Sequence, residues 1–468
     1  MTGRTTARLL GSLGWPLALG LAMVAVVLGS VAMLAPPEAH ASGPVKTGYV
    51  VVRFGDHDSL VRVFTFTTPI SSYVALQRAG LNPVAANTAW GLMLCGIAGV
   101  GKTNPAGNSC DNGAFFWLTY YWDQGSAPPS WQGYTVGVGD SVIAQDGHID
   151  GYVWTNRWPG PQPPHGPGAV AAYKGLEWLR PRQDASTGGY GTPNDTLEVL
   201  LAVTANHYDA DQWRRNPGSP SLRTAGIYAA SISQRVDGAG KLATAMAAAE
   251  GCWPFIAKNI MAYYDSNTGR FDPNPGYQAW AIIGLRALSQ TIPAKAVQAL
   301  EAMQTGDGSW PYGSWSTTGD TNGTALAIQA LIAAGKVPTS TAVTGGLNYL
   351  EDAQNADGGF PWDPQSSWGT DSDTNSTAYV VQAIVAAGED PTAGRWLKDS
   401  NHPISYLVSM QLPGGAFEWQ PGQGANQLAT QQAIPALLYR PFPLVAAEIP
   451  PYCEGILFPA AYLPIVAK

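Results

Sequence analysis

Two stretches of this 468-residue chain place the same polar residues ahead of an apolar run. DTNGTALAIQAL occupies residues 320–331 and DTNSTAYVVQAI occupies residues 373–384, with Asp, Thr, Asn and Thr at matching positions. A helix needs one such residue as its N-terminal cap, which Asp320 and Asp373 would supply. The remaining hydroxyls and amides suit hydrogen bonding to a neutral ligand. The pattern therefore predicts either capping alone or a neutral polar binding rim.

Side chains for acid–base or metal chemistry are scattered. The six histidines lie at positions 40, 57, 148, 165, 207 and 402, and none has a motif partner. No nucleophile, base and orienting group recur at a spacing typical of a catalytic set. We therefore expect no catalytic residues, no catalytic cofactor and no metal ligands.

The composition restricts the possible partners. Only 12% of residues are charged, about half the usual fraction, while 45% are hydrophobic, and the formal net charge is −8. An acidic chain with few cations is a poor partner for nucleic acid or for anionic membranes. Polarity comes mainly from neutral side chains.

Residues 1–41 have the features of a secretory signal peptide. Arg4 and Arg8 precede an apolar run over 15–34, and Ala39-His40-Ala41 forms a small-x-small cleavage site. We expect a secreted protein or one on the extracellular surface. The apolar run is also long enough to stay as an uncleaved N-terminal anchor, the one membrane attachment expected.

Four cysteines in an exported chain favour two disulfides, with three pairings possible. Cys95 with Cys110 would close a loop of fifteen residues, worth about 3 kcal/mol in the chain-entropy estimate. Cys252 would then pair with Cys453. Buried free thiols are the alternative.

The chain divides by pattern into a β-rich part and a helical part. Residues 43–158 contain YVVVRF, LVRVFTF and FFWLTYYW around one helical stretch, SSYVALQRAG, which predicts a small α+β domain. PGPQPPHGPG at 159–168 is a stiff linker. Residues 169–445 show helical periodicity, and residues 446–468 are a C-terminal tail.

Six helix pairs are predicted over 169–445, so this part is a helical repeat. The outer helices begin near residues 169, 221, 255, 295, 342 and 403, and the inner helices near 194, 238, 276, 322, 375 and 426. Glycine-rich corners such as QTGDGSW, QNADGGF and QLPGGAF join the two helices of several pairs. In each corner an aromatic residue, Trp310, Phe360 or Phe417, can wedge between neighbouring pairs.

These Gln-x-x-x-Gly-x-aromatic corners resemble the QW motif of the terpenoid cyclase and protein prenyltransferase families, which implies an α6/α6 toroid. The catalytic groups of those families are incomplete here. Asp371-Ser372-Asp373-Thr374 lacks the last carboxylate of the cyclase Asp-x-Asp-Asp motif, and Cys252 has no histidine partner for zinc. We therefore expect a protein that is not an enzyme.

A second resemblance spans both parts. GGAFEWQPGQGANQLATQQAIPALLYRPFP is similar to the last helix pair of the intrinsic factor, transcobalamin and haptocorrin family, and DTNSTAYVVQAI resembles its inner helix. SSYVALQRAG, AWGLMLCGIAGV and GHIDGYVW follow the order of features in that family's β-domain. The resemblance implies a β-grasp-like α+β domain followed by an all-α toroid, with the family's domain order reversed.

That resemblance implies a carrier that holds a corrinoid such as cobalamin between the toroid mouth and the β-domain. The implied ligand-binding residues are Asn322, Asp373, Asn375, Thr377, Asn426, Gln432, Trp90, Phe116, Trp117 and Trp154. The alternatives are a toroid that binds a glycan or a protein, a cyclase or lyase, and a structural envelope protein.

Overall fold

The computed structural model describes residues 43–89, 91–102, 110, 112–229, 234–249, 259–313, 316–367 and 369–444. The predicted leader, the C-terminal tail, Trp90, Cys252 and Cys453 lie outside these residues. A search of the described helices finds none with the length and apolarity needed to cross a membrane.

The N-terminal part contains a mixed sheet. Its elements are β1 (Lys46–Phe54), β2 (Ser59–Phe66), α1 (Ser72–Arg78), β3 (Val84–Thr88), β4 (Gly91–Ile97), β5 (Val100–Gly101), β6 (Phe116–Asp123), β7 (Ser130–Gly133) and β8 (His148–Thr155). Five strands pair in the order β2-β1-β8-β6-β7, with β1 and β8 parallel, and β3-β4-β5 form a separate small sheet. A disulfide joins Cys95 to Cys110. The finer β-grasp assignment stays a prediction.

Alternation along β1 gives the large sheet two buried faces. Val50 and Val52 pack in a core with α1, whereas Val51 and Val61 belong to the core shared with the helices that follow. Successive side chains of a strand point to opposite faces, so a run of valines can serve both cores. The sheet therefore packs directly against the helical part.

The helical part is a ring of paired helices. Its outer members are α2 (Gly166–Leu179), α4 (Leu222–Tyr228), α7 (Ala294–Ala302), α9 (Thr341–Ala353) and α11 (Pro403–Ser409). Its inner members are α3 (Pro193–Ala205), α5 (Val236–Ala248), α6 (Pro275–Ala287), α8 (Thr321–Ala333), α10 (Thr374–Ala386) and α12 (Gln427–Leu437). The inner helices pack in the order α3-α5-α6-α8-α10-α12, and α12 packs back on α3. The predicted outer start near 255 lies outside the described residues.

The glutamine of each corner joins neighbouring pairs. The Nε2 of Gln304 donates to the Gly308 carbonyl at 2.7 Å and to the Ala342 carbonyl, at the start of the next outer helix, at 2.9 Å. The Nε2 of Gln411 donates in the same way to Ala171 in α2 at 2.8 Å, which joins the last pair to the first. Trp310, Phe360 and Phe417 are fully buried, as wedges between pairs must be.

The corner glycine is required by the close approach of two backbones. Gly308 has a φ of +88°, and a Cβ there would lie 2.5 Å from the Gly345 carbonyl oxygen. Only glycine adopts that conformation and admits that contact without strain. The corner motif therefore allows one helix pair to stack closely on the next.

The β-rich part lies against the C-terminal ends of the inner helices, which we call the base. Asn206, just after α3, accepts from the Val61 amide at 2.7 Å and donates to the Val61 carbonyl at 3.2 Å. The Ser59 hydroxyl donates to the carbonyl of Leu438, just after α12. The expectation that this part covers the opposite end, the mouth, is therefore wrong. The edge of β2 obtains its hydrogen bonds from the helix C-termini instead.

The chain that follows α12 fills the base end of the ring interior. The Phe442 ring lies 5.4 Å from the Trp280 ring, and its amide donates to Gln329 Oε1 at 2.9 Å. The Nε2 of Gln382 donates to the Arg440 carbonyl at 2.8 Å. These two glutamines are thus structural.

Candidate functional site

The repeated polar stretch has several structural roles. At the start of α10, Asp373 Oδ1 accepts from the Ser376 amide at 2.8 Å, and the Thr374 hydroxyl donates to the Glu418 carbonyl at 2.6 Å. Thr377 Oγ1 accepts from the Phe360 amide at 2.9 Å. The first bond caps the helix, and the other two fasten its start to a neighbouring loop and corner.

The same bonds recur at α8, where Asp320 caps the helix, Thr321 bonds to the next loop and Thr324 binds the Trp310 amide. Asn426 likewise caps α12 by accepting from the Ala429 amide at 2.9 Å. Three of the predicted ligand-binding residues, Asp373, Thr377 and Asn426, thus have hydrogen-bond partners within the scaffold.

The interior of the ring, which we call the lumen, is lined by residues two and six positions after the helix caps. The two-position set includes Asn194, Asp237, Asn322 and Asn375, and the six-position set includes Glu198, Lys241, Trp280, Tyr379 and Gln432. Residues four apart share one face of a helix, so both sets face the same side.

A hydrogen-bond network joins four neighbouring inner helices, α10, α12, α3 and α5, on their lumen side. Lys241 Nζ donates to Glu198 Oε1 at 2.7 Å and to Asn194 Oδ1 at 2.9 Å. Gln432 Nε2 donates to the same Glu198 oxygen at 3.1 Å, and Asn375 Nδ2 donates to Gln432 Oε1 at 2.7 Å. The fold thus brings together the predicted residues Asn375 and Gln432.

Burial and charge pairing set the protonation states of the lumen side chains. The Glu198 side chain is 4% exposed and that of Lys241 is 12% exposed. Burial by itself lowers the pKa of Lys241, but the adjacent Glu198 carboxylate outweighs it and the pKa is raised. Burial, with Glu198 and Tyr312 adding to it, holds the pKa of Tyr379 well above its usual value. The lumen therefore contains one ion pair and a neutral phenol.

The other predicted residues divide between the two ends. Asn322 lies at the mouth, and its side-chain oxygen is buried without a hydrogen-bond partner among the described residues. Phe116, Trp117 and Trp154 lie on β6 and β8, in the part that packs on the base. These aromatic residues do not meet the predicted polar residues, because the sheet occupies the other end of the ring.

Glu198 and Lys241 were not among the predicted site residues. The available signal was a single charged residue in each of two apolar runs, TLEVLLAV and GAGKLATA. Charged side chains are rarely buried unless they are paired, so two such residues on successive inner helices indicate a pair.

A cavity of about 840 Å³ lies at the base, between the sheet, the Pro-rich linker and the end of α10, lined in part by Trp131, His165 and Tyr439. It is remote from the lumen network. Among the described residues no group of three or more His, Cys, Asp or Glu could hold a metal ion. We assign the candidate site to the lumen because the convergent polar groups lie there.

The pKa of Asp320 makes stability depend on pH. Burial raises its pKa to about 6, although the Gly323 and Tyr312 amides donate to its oxygens at 2.7 and 2.6 Å. An unfolded carboxyl has a pKa of about 3.9, so the folded protein binds the extra proton. We expect this contribution of about 3 kcal/mol to be lost as pH rises from about 4 to about 6.

Asp320→Asn should remove that part of the pH dependence, measured as the free energy of unfolding in urea at pH 4 and pH 7. The exposed Asp399 serves as the control, and Asp399→Asn should follow the wild type. An Asp320→Asn profile that is parallel to the wild-type profile would contradict the assignment.

Comparisons with known proteins agree with the ring. Residues 279–447 match the squalene-hopene cyclase C-terminal domain family. The chain is 26% identical over 293 residues to the squalene-hopene cyclase of Bradyrhizobium diazoefficiens, a match that covers 53% of this chain and 40% of that enzyme. The chain thus spans less than half the length of this curated relative.

Two solved structures are also similar. The type II terpene cyclase MstE from Scytonema has a TM-score of 0.43 at 12% identity, and the alignment covers 58% of this chain and 98% of that one. The ent-copalyl diphosphate synthase from Streptomyces platensis has a TM-score of 0.38 at 17% identity, over 53% of this chain and 50% of that one.

These matches correct the functional expectation. The expected corrinoid carrier, a non-enzymatic transport protein, was wrong, because the matching family and the curated relative are squalene-hopene cyclases, which are enzymes. The same matches give no support to secretion, which stays a prediction. The chain has a sheet-containing N-terminal part followed by a ring of paired helices, whose residues 279–447 match the squalene-hopene cyclase C-terminal domain family.

Proposed function

We propose that this protein is an acid-initiated isoprenoid cyclase whose reaction takes place in the lumen. The observation that carries the proposal is the match of residues 279–447 to a squalene-hopene cyclase domain, since this span includes Asp320, Asp373, three complete inner helices and most of a fourth. In this reaction a carboxylic acid protonates an alkene, the resulting cation closes rings, and a proton is lost or water adds. No cofactor is consumed.

Asp373 is the proposed acid. Burial raises its pKa, which favours the protonated form. The Ser376 hydroxyl donates to its Oδ2 at 2.7 Å, and because a hydroxyl can rotate away from this oxygen, Oδ2 can hold the acid proton. Both oxygens of Asp320, in contrast, accept backbone amide hydrogens, which hold this carboxyl in its capping role. Asp371, two residues earlier, retains a second carboxylate of the incomplete motif.

Aromatic side chains of the lumen would stabilise the developing cation. Trp280 and Tyr379 lie in the set six positions after the caps, and the Lys241 ammonium already lies 5.2 Å from the centre of the Trp280 ring. The negative face of an aromatic ring attracts cations of either kind. The Glu198 carboxylate is an available base for the final proton.

The test is product formation from squalene, geranylgeraniol and geranylgeranyl diphosphate, followed by gas chromatography and mass spectrometry. We expect cyclic isomers of one of these substrates, or their hydrates. Asp373→Asn should reduce turnover by at least a hundredfold, because an amide cannot protonate an alkene.

Asp320→Asn is the matched control, since both residues cap equivalent helices. It should retain activity, while both variants show similar shifts in thermal unfolding. Equal activity losses in the two variants would show that Asp373 acts as a cap only. No cyclic product from any substrate with the folded wild type would refute the proposed function.

A further inference from the structure

We infer that the lumen accepts a substrate with a neutral, hydroxyl-bearing head group and discriminates against a diphosphate. The inference deepens the proposed function and rests on it for the isoprenoid nature of the substrate. It is carried by the charge balance of the lumen and by an unpaired acceptor at its mouth.

The charges of the lumen cancel in pairs. The inner helices carry charged residues at Asp195, Glu198, Asp237, Lys241 and Arg286. Asp195 belongs to the capping box of α3, and Arg286 is exposed near the end of α6. Apart from the cap residues, the charged groups left on the lumen side of the described inner helices are Glu198, Asp237 and Lys241.

The two cations at the start of the described α5, Arg235 and Lys241, each have a carboxylate partner. Lys241 Nζ contacts Glu198 Oε1 at 2.7 Å, and Arg235, which caps α5, contacts Asp237 at 2.7 Å. A diphosphate needs several unpaired cations or metal ions for its charges. Here it would approach the Glu198 carboxylate, which repels an anion strongly in a buried site.

The uncharged groups of the lumen suit a hydroxyl instead. The side-chain oxygen of Asn322 is buried, and no residue in the described part of the chain donates to it, so it lacks a donor. It lies two positions after its cap, equivalent to Asn194 and Asn375, which take part in the network. A hydroxyl donates and accepts, whereas an ionised diphosphate offers acceptors only and a hydrocarbon offers neither.

The experiment measures binding rather than turnover. Equilibrium dialysis with radiolabelled geranylgeraniol and geranylgeranyl diphosphate gives the two dissociation constants at pH 7.5. The wild type should bind the alcohol at least tenfold more tightly. Glu198→Gln leaves Lys241 without its counter-charge and should raise diphosphate affinity at least tenfold. Glu389→Gln, which removes a carboxylate paired with Arg395 at the base, should change neither constant.

Asn322→Leu provides a second test that leaves the ion pair in place. It should weaken binding of the alcohol about tenfold and leave binding of the diphosphate unchanged. Tighter binding of the diphosphate by the wild type, or no loss of alcohol affinity in Asn322→Leu, would overturn the inference.

The outcomes separate this inference from the proposed function. Selective binding of the alcohol without any cyclic product would refute the cyclase and leave the head-group inference standing. Cyclic products formed from the diphosphate alone would support the cyclase and refute the head-group inference.

Discussion

Replacing Lys241 with Met is expected to lower the free energy of unfolding by about 3–5 kcal/mol at pH 7. The Glu198 carboxylate, only 4% exposed, would keep the Gln432 amide as its remaining donor and lose its counter-charge. An uncompensated buried charge costs much more than the net value of the pair. Urea denaturation followed by circular dichroism measures the change.

Two controls separate this effect from a general loss of a lysine. Lys336 forms an exposed pair with Glu301, so Lys336→Met should change stability by less than about 1 kcal/mol. The double variant Lys241→Met, Glu198→Met should regain much of the loss, because no buried charge is left. If Lys241→Met behaved like Lys336→Met, the buried pair would not be as the structure describes it.

Gly240→Ala is expected to destabilise the ring by about 3 kcal/mol or more. A Cβ at this position in α5 would lie 2.2 Å from the Trp280 carbonyl oxygen in α6. Across the contact, a Cβ at Gly284 would lie 2.7 Å from the Gly240 Cα. The obstructing atoms are backbone, so neither helix can relieve the contact by changing a rotamer.

Gly306→Ala is the matched control, because no atom lies within 4 Å of the added methyl and the φ of Gly306 is ordinary. It should change stability by less than about 0.5 kcal/mol. The midpoint of thermal unfolding, compared at equal protein concentration, distinguishes the two. Similar midpoints would mean that α5 and α6 are farther apart than described.

The prediction of a corrinoid carrier was wrong for a structural reason. The corners and polar helix starts that resembled a cobalamin-carrier family are used here to stack one helix pair on the next. Gln304 and Gln411 each bond their own corner and an outer helix of the next pair, and Gln354 bonds its own corner and the Trp396 carbonyl ahead of α11. Features that any such ring requires indicate its architecture and carry little information about its ligand.

Local sequence determined the helical ring. The described inner helices begin within two residues of their predicted starts, at 193, 236, 275, 321, 374 and 427. Apolar periodicity, polar caps and corner glycines act within a few residues of each other, so they can be recognised in the chain itself.

Only the tertiary structure decided which polar groups meet. At the start of α10, the Asn375 side chain joins the lumen network. The side chains of Asp373, Thr374 and Thr377 form hydrogen bonds within the scaffold instead. Glu198 and Gln432 lie 234 positions apart in the chain, yet ring closure joins their side chains. The sheet packs on the base because the edge of β2 finds hydrogen-bond partners there. Such contacts depend on helix rotation and ring closure, which no local pattern records.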